Sequence, residues 1–185
     1  MTTSLVQPPA TTPVSLTQAK THLRVDTSAE DDYILDLIST ATTFVEQTIS
    51  RKLITQTWRQ YVEKIGSERT VLLEIRPPQS IVEVTAYDEA GTPTVLNVQD
   101  YSLNQYASPP TVTLNITAST AMVELDVIAG FGDTGADVPG TLLRAILVLV
   151  GHWYEFRGAI DVAEQPASIP SGFQILLAPY MEPKI

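Results

Sequence analysis

The chain has 185 residues, of which 44% are apolar and 17% charged, and this composition suits one folded domain or one domain that carries an insertion. It contains no cysteine, which excludes disulfides and thiolate metal sites. Its 11 basic and 21 acidic residues give a net charge of −10 with no basic cluster, so specific binding of nucleic acid is not expected.

The N-terminal region predicts an arm followed by a short helix. Residues 1–13 contain three prolines and four threonines and are expected to form a flexible arm. Ser15 is expected to begin the helix, because Gln18 follows three residues later in the pattern of a capping box.

A longer amphipathic helix is predicted from about Ala29 to about Ser50, with Ser28 as its cap. Acidic side chains at positions 30–32 lie in its first turn, where the helix dipole favours negative charge. Its apolar residues recur at three- and four-residue steps, which is the helical period. They are Ile34, Leu37, Ile38, Ala41, Phe44, Val45 and Ile49.

The period changes to two after Leu53, and β-forming residues become frequent. Turn-forming residues separate five predicted strands. The strands are 54–62, 70–75, 81–87, 111–116 and 121–128. Residues 53–135 are therefore expected to form a small antiparallel β module.

Helical periodicity returns after Pro139, in a segment that is apolar nearly all round and should be buried. Arg157 and Gly158 are expected to end this helix, and 159–170 to form a loop. A short apolar segment, 173–178, follows. The predicted fold class is α+β: residues 14–52 and 136–185 form one discontinuous helical bundle, and 53–135 is inserted in it. Removing 54–129 should then leave a soluble helical core.

A GxGxxG sequence at Gly130–Gly135 follows a predicted strand, as it does in a dinucleotide-binding loop. In such a loop the helix begins within the motif, whereas here residues 136–139 intervene, and no second strand follows the helix. A glycine-rich turn is the favoured interpretation, and a small nucleotide-binding enzyme is an alternative.

The sequence offers no catalytic, cofactor-binding or metal-binding residues. The two histidines, His22 and His152, fall on different predicted helices, whereas zinc sites need three or four ligands at recognisable spacing. The acidic residues at 30–32 are explained by their position in a first helical turn. We therefore expect no enzyme activity and no cofactor.

In order and spacing, the sequence resembles the head–tail connector, or adaptor, proteins of tailed phages and gene transfer agents, from about Val14 onward. No single piece is specific. The pieces that carry the resemblance are 15–25, 30–34, 49–53, 55–58, 73–78, 80–84, 129–132, 138–139, 145–157 and 176–180.

The resemblance implies a structural virion protein at the head–tail junction, made in a bacterial cytoplasm. Copies would form a ring, typically of twelve, beneath the portal protein. The face of the ring opposite the portal would receive the next tail component, such as a stopper or tail terminator. DNA would pass through the ring without specific binding, and acidic walls would keep it from adhering. Another ring component, such as a head-closure or tail-terminator protein, is an alternative.

The resemblance also implies that the C-terminal segment docks into the portal. The resemblance leads us to expect a basic residue after Pro179-Tyr180, and Met181 stands there instead. If the segment acts only in docking, a chain ending at Gly172 should stay folded. The expected anchors are Phe173, Ile175, Leu176, Leu177, Tyr180 and Met181.

Overall fold

The computed structural model describes residues 2–63, 65, 68–116, 120–156 and 169–181. The chain divides into two compact units. The first, called here the β unit, consists of Met1–Ala10 and Thr55–Phe131. The second, the helical unit, consists of Thr11–Ile54 and Gly132–Ile185. The β unit thus takes in the first ten residues as well as a segment close to the expected insertion, 53–135.

Four α-helices are described in the helical unit, and the first has the predicted cap. They are α1 (Leu16–Leu23), α2 (Asp31–Ile49), α3 (Gly140–Phe156) and α4 (Phe173–Leu177). Ahead of α1, the Ser15 hydroxyl accepts a hydrogen bond from Gln18 N at 3.2 Å, and the Gln18 side chain accepts one from Ser15 N at 2.8 Å. This reciprocal pair confirms the predicted capping box.

The predicted cap of α2 is wrong. The N-cap residue is Glu30 and not Ser28, and no side-chain cap hydrogen bond is present. The Ser28 carbonyl accepts from Asp31 N at 3.3 Å, so Ser28 belongs to the turn before the helix. The Glu30 carboxylate accepts a hydrogen bond from the Tyr154 hydroxyl of α3. A tertiary contact therefore ties down this helix end, where the sequence indicated a local cap.

The core of the helical unit lies mainly between α2 and α3. Both helices bury one face at the period that the sequence predicted. Burial of α3 is less complete than expected, since Leu143, Leu147 and Val148 are only half-buried. The end expected at Arg157 and Gly158, and residues 159–168 of the expected loop, lie outside the described residues.

The described part of the β unit contains two antiparallel sheets. The larger has five strands in the order β1-β2-β8-β4-β5, and the smaller has three in the order β3-β7-β6. The strands are β1 (Thr2–Gln7), β2 (Gln56–Glu63), β3 (Thr70–Leu72), β4 (Pro78–Asp88), β5 (Pro93–Val95), β6 (Tyr101–Asn104), β7 (Thr111–Leu114) and β8 (Thr120–Ala129).

The β unit has a hydrophobic core of its own, to which both sheets contribute alternate residues. Val123, Leu125 and Val127 of β8, the central strand of the larger sheet, are fully buried. Val112 and Leu114 of β7, the central strand of the smaller sheet, join the same cluster. The alternation of Val and Leu with polar residues, visible in the sequence, is thus the alternation between core and surface.

The predicted fold class, a helical bundle with a small inserted β module, is wrong. The described residues hold four helices and eight strands, and the β unit is a two-sheet structure with its own core. Three strands, β1, β5 and β6, were not predicted. Residues 2–7, in the expected flexible arm 1–13, pair with β2, and five of these six residues are exposed. Backbone hydrogen bonds to β2 hold β1 in place. Because most of its side chains are exposed, its sequence has no apolar periodicity from which a strand could be predicted.

Candidate functional site

The segment expected to dock into the portal forms α4 and a 3-10 turn, Ala178–Tyr180. Gly172, with φ of 87°, precedes α4 and sets the direction of the chain into it. Pro179 lies at the start of the 3-10 turn, where its fixed φ is compatible with the helical backbone. The described segment, 169–181, is therefore short and bent, with apolar residues on more than one side.

Two of the six expected docking residues belong to the core of the helical unit. Phe173 is 1% exposed and Leu177 is fully buried. The Phe173 ring packs against Phe44 of α2 with ring centroids 5.8 Å apart, and Phe44 meets Trp153 of α3 edge to face at 6.2 Å. These side chains attach the segment to its own unit and leave little surface for a partner.

The other four expected docking residues differ in how far they are exposed to solvent. Ile175 is 77% exposed and Met181 is 41% exposed, whereas Leu176 and Tyr180 are half-buried. The Thr141 hydroxyl at the start of α3 donates to the Tyr180 hydroxyl at 3.1 Å, which holds the 3-10 turn near that helix end. Ile169, which is not among the six expected docking residues, is 43% exposed and belongs to the same described segment. Ile175 and Met181 are thus the members of the set most available to a partner.

The glycine-rich loop is closed to a phosphate group. A Cβ added at Gly135 would lie 2.1 Å from the Pro13 carbonyl oxygen, and one at Gly132 would lie 2.4 Å from the Asp137 Cβ. The Asp137 carboxylate accepts from Thr134 N at 3.0 Å and from the Thr134 hydroxyl at 2.9 Å. A carboxylate already occupies this turn, and it would repel a phosphate. The glycines therefore allow close packing, and the geometry argues against dinucleotide binding.

The described parts of the chain hold no metal-binding cluster, and the two histidines lie on different helices. Among those residues no group of three or more His, Asp or Glu side chains could hold a metal ion. His22 lies on α1 and His152 on α3, where the His152 ring is 4.9 Å from Phe156. Burial and the nearby Arg144 lower the pKa of His22, which favours its neutral form. No described helix is long and apolar enough to cross a membrane.

The chain is similar to one protein family in sequence and to several solved structures in fold. Residues 13–93 match a family model described as "Phage gp6-like head-tail connector protein". No curated protein sequence matches the chain.

Solved structures match the fold along the whole chain. A chain from "Neck of empty GTA particle computed with C6 symmetry" is 21% identical with a TM-score of 0.80, and the alignment covers 100% of this chain and 97% of that one. A chain from "Virion of native gene transfer agent (GTA) particle" is 22% identical with the same TM-score and coverage. A third, from "Neck of native GTA particle computed with C12 symmetry", is 20% identical with a TM-score of 0.76. The family match confirms the predicted resemblance to phage head–tail connectors over residues 13–93, and the solved structures share the fold along the whole chain.

Proposed function

We propose that this protein is a head–tail adaptor, a structural component of the neck of a tailed phage or gene transfer agent. The match of residues 13–93 to the head–tail connector family is the observation that carries the proposal. Similarity of the complete fold to chains of gene-transfer-agent particles supports it. The function is mechanical: the adaptor joins the portal of the head to the next tail component.

The adaptor acts as a ring of identical copies, with twelve as the proposed number. Neck structures of related fold were obtained with C6 and C12 symmetry, and both are compatible with twelve copies. The net charge of −10 suits a ring through which DNA moves, because acidic side chains repel phosphates and reduce adhesion.

Docking to the portal is assigned to the exposed part of the C-terminal segment. Ile175 and Met181 supply apolar surface. Full burial of one such side chain at an interface contributes on the order of 1.5–3 kcal/mol to the free energy of binding. Phe173 and Leu177 keep the segment attached to the helical unit, so that less entropy is lost when the portal binds. The anchors expected from the sequence thus divide into two that position the segment and others that are open to contact.

The test is complementation of a particle-producing strain that lacks the gene. We expect its loss to leave DNA-filled heads without tails, and the wild-type gene to restore tailed particles. A gene encoding Ile175→Ser and Met181→Ser should restore folded protein but few tails. Leu35→Ser on α2, which removes an aliphatic side chain about as exposed as Met181 (43% against 41%), is the control and should restore tails.

The possible outcomes distinguish a failure of the proposed adaptor function from a failure of the proposed docking site. If heads lacking the protein still acquire tails, the adaptor function is wrong. If tails without heads accumulate and the protein is found at the tail end, a tail-terminator role replaces it. If the double variant restores tails as well as the control does, the adaptor role stands and the docking assignment fails.

A further inference from the structure

Within the described ranges of the chain, the five-stranded sheet of the β unit is open at both ends. Among the described residues, β1 pairs only with β2, and β5 pairs only with β4. In an antiparallel edge strand, alternate residues direct their N–H and C=O groups away from the sheet. Such an edge is a template for another strand, and natural proteins limit this with charged side chains, Pro, β-bulges or short edge strands. Here β5 is short and contains Pro93, and β1 has a register irregularity between Leu5 and Gln7, but neither strand has a charged side chain.

Neither edge strand carries a charged side chain. The first charged side chain in the sequence is that of Lys20, so the side chains of β1 and of the residues beside it are neutral. Between Glu89 and Asp100, the stretch that contains β5 is neutral as well. Each copy has a net charge of −10, so copies repel one another over most of their surface. Contact between copies is therefore favoured at neutral surfaces that also offer hydrogen bonds, and both edges meet this condition.

The edge at β5 is held in a defined conformation. Thr92 O accepts from Asp88 N at 3.3 Å and Leu96 N donates to Val84 O at 2.9 Å, so the even-numbered residues face β4. The backbone groups of Pro93 and Val95 consequently point outward. Pro93 lacks an N–H, which removes no bond within the sheet but leaves the Val95 N–H as the outward donor of β5, beside the carbonyl groups of Pro93 and Val95.

The turn before β5 is braced by one carboxylate. Asp88 Oδ1 accepts from Thr92 N at 2.8 Å and from Ala90 N at 2.9 Å. These backbone hydrogen bonds, that from Thr92 first, lower the pKa of Asp88, so the brace persists at neutral pH. The edge is thus ordered before any partner arrives.

The side chains of β1 are buried only slightly by the rest of their own chain. Five of its six residues are exposed, and Leu5 and Val6 are 47% and 49% exposed. A second sheet edge would satisfy the outward backbone groups of β1 and shield these two side chains from water.

We propose that β1 of one copy pairs with β5 of a second copy, so that the five-stranded sheets of neighbouring subunits become continuous. The inference rests on the proposed ring. Pairing of two different edges is a heterologous contact, which repeats from copy to copy and gives a ring when the rotation between copies closes. Pairing of β1 with β1 would be symmetric and would stop at a dimer.

Cysteine cross-linking tests the pairing, because the native chain has no cysteine. Ser4→Cys or Leu5→Cys in β1 is combined with Thr94→Cys or Val95→Cys in β5, so that both faces of the joined sheet are sampled. Paired residues on adjacent strands lie about 4.5–5.5 Å apart between Cα atoms, within reach of a disulfide. Val82→Cys replaces the β5 cysteine in the control, since Val82 is 56% exposed but lies on β4, outside the Thr85–Tyr87 stretch that pairs with β5.

Necks isolated from particles that carry each variant are oxidised and run on a denaturing gel without reductant. We expect at least one β1–β5 combination to give a ladder of covalent multimers that reductant removes, and the Val82 control to give monomers. Monomers from all four combinations in necks that contain the chain would overturn the pairing and leave the adaptor function intact. Dimers from Ser4→Cys alone would overturn it in favour of symmetric pairing. Absence of the chain from necks would refute both proposals.

Discussion

Gln60 of β2 is the side chain whose burial most clearly depends on its hydrogen bonds. It is 0% exposed, donates to Leu72 O at 2.7 Å and accepts from Glu74 N at 2.9 Å. It therefore links the five-stranded sheet to β3 of the smaller sheet. We expect Gln60→Leu to leave two backbone groups without these bonds and to lower the free energy of unfolding by about 1–3 kcal/mol.

Chemical denaturation of the intact protein measures this effect. Gln99→Leu, at an exposed position, is the control and should change the free energy of unfolding by less than about 0.5 kcal/mol. Equal unfolding midpoints for the two variants would show that Gln60 is not a structural link between the sheets.

The local sequence pattern predicted the capping role of Ser15 correctly, but no local pattern predicted that Gln60 links the two sheets. The capping box of Ser15 and Gln18 is complete within four residues of sequence, so its spacing alone is diagnostic. The partners of Gln60 lie 12 and 14 residues further along the chain, and their position depends on how two sheets pack. The predicted cap at Ser28 failed for a related reason, because Glu30 is bonded to Tyr154, 124 residues away.

At the scale of elements, α4 connects stability with the candidate docking surface. Phe173 lies in the core of the helical unit, whereas Ile175, two residues later, is 77% exposed. We expect Phe173→Ala to cost about 3–5 kcal/mol, as for other buried aromatic truncations. Ile175→Ala should cost less than about 0.5 kcal/mol. Urea unfolding of the two full-length variants gives both values.

Because Phe173 and Leu177 are buried, removing the C-terminal segment should affect the stability of the protein as well as docking. A chain ending at Gly172 loses the Phe173 and Leu177 side chains from its core, so we now expect it to be destabilised rather than merely unable to dock. Equal stability of the Phe173→Ala and Ile175→Ala variants would contradict this assignment and would restore the view that the whole segment is ordered by a partner.

The elements that the sequence predicts best are those with sustained apolar periodicity. Both α2 and α3 show it over four turns or more, and β8 shows it over ten residues. The strands β1 and β5 do not, because they are exposed edges that depend on pairing with distant segments. The candidate docking residues were located by resemblance to a family, and sequence reasoning could not separate Phe173 from Ile175 because both are large and apolar.

At the scale of the whole molecule, each of the two units has its own core. In the helical unit, α2 packs against α3 across a sequence gap that contains most of the β unit. Ile54 and Gly132, where the chain leaves and re-enters the helical unit, form an isolated parallel bridge. A short connection can therefore replace the intervening residues without moving either end.

We predict that residues 11–54 joined to 132–185 through about five Gly and Ser residues form a soluble helical protein. The change also removes β1, since its partner strand is gone, and so differs from the deletion of 54–129 considered from sequence alone. Circular dichroism should show helix with cooperative thermal unfolding, because the buried residues of α2, α3 and α4 are all retained. The same shortened chain with Ile146→Asp, which places a charge at a fully buried position, should lose both signals. If the shortened chain shows no helical signal while the intact protein does, the helical unit depends on the β unit to fold, and the two cores are not independent.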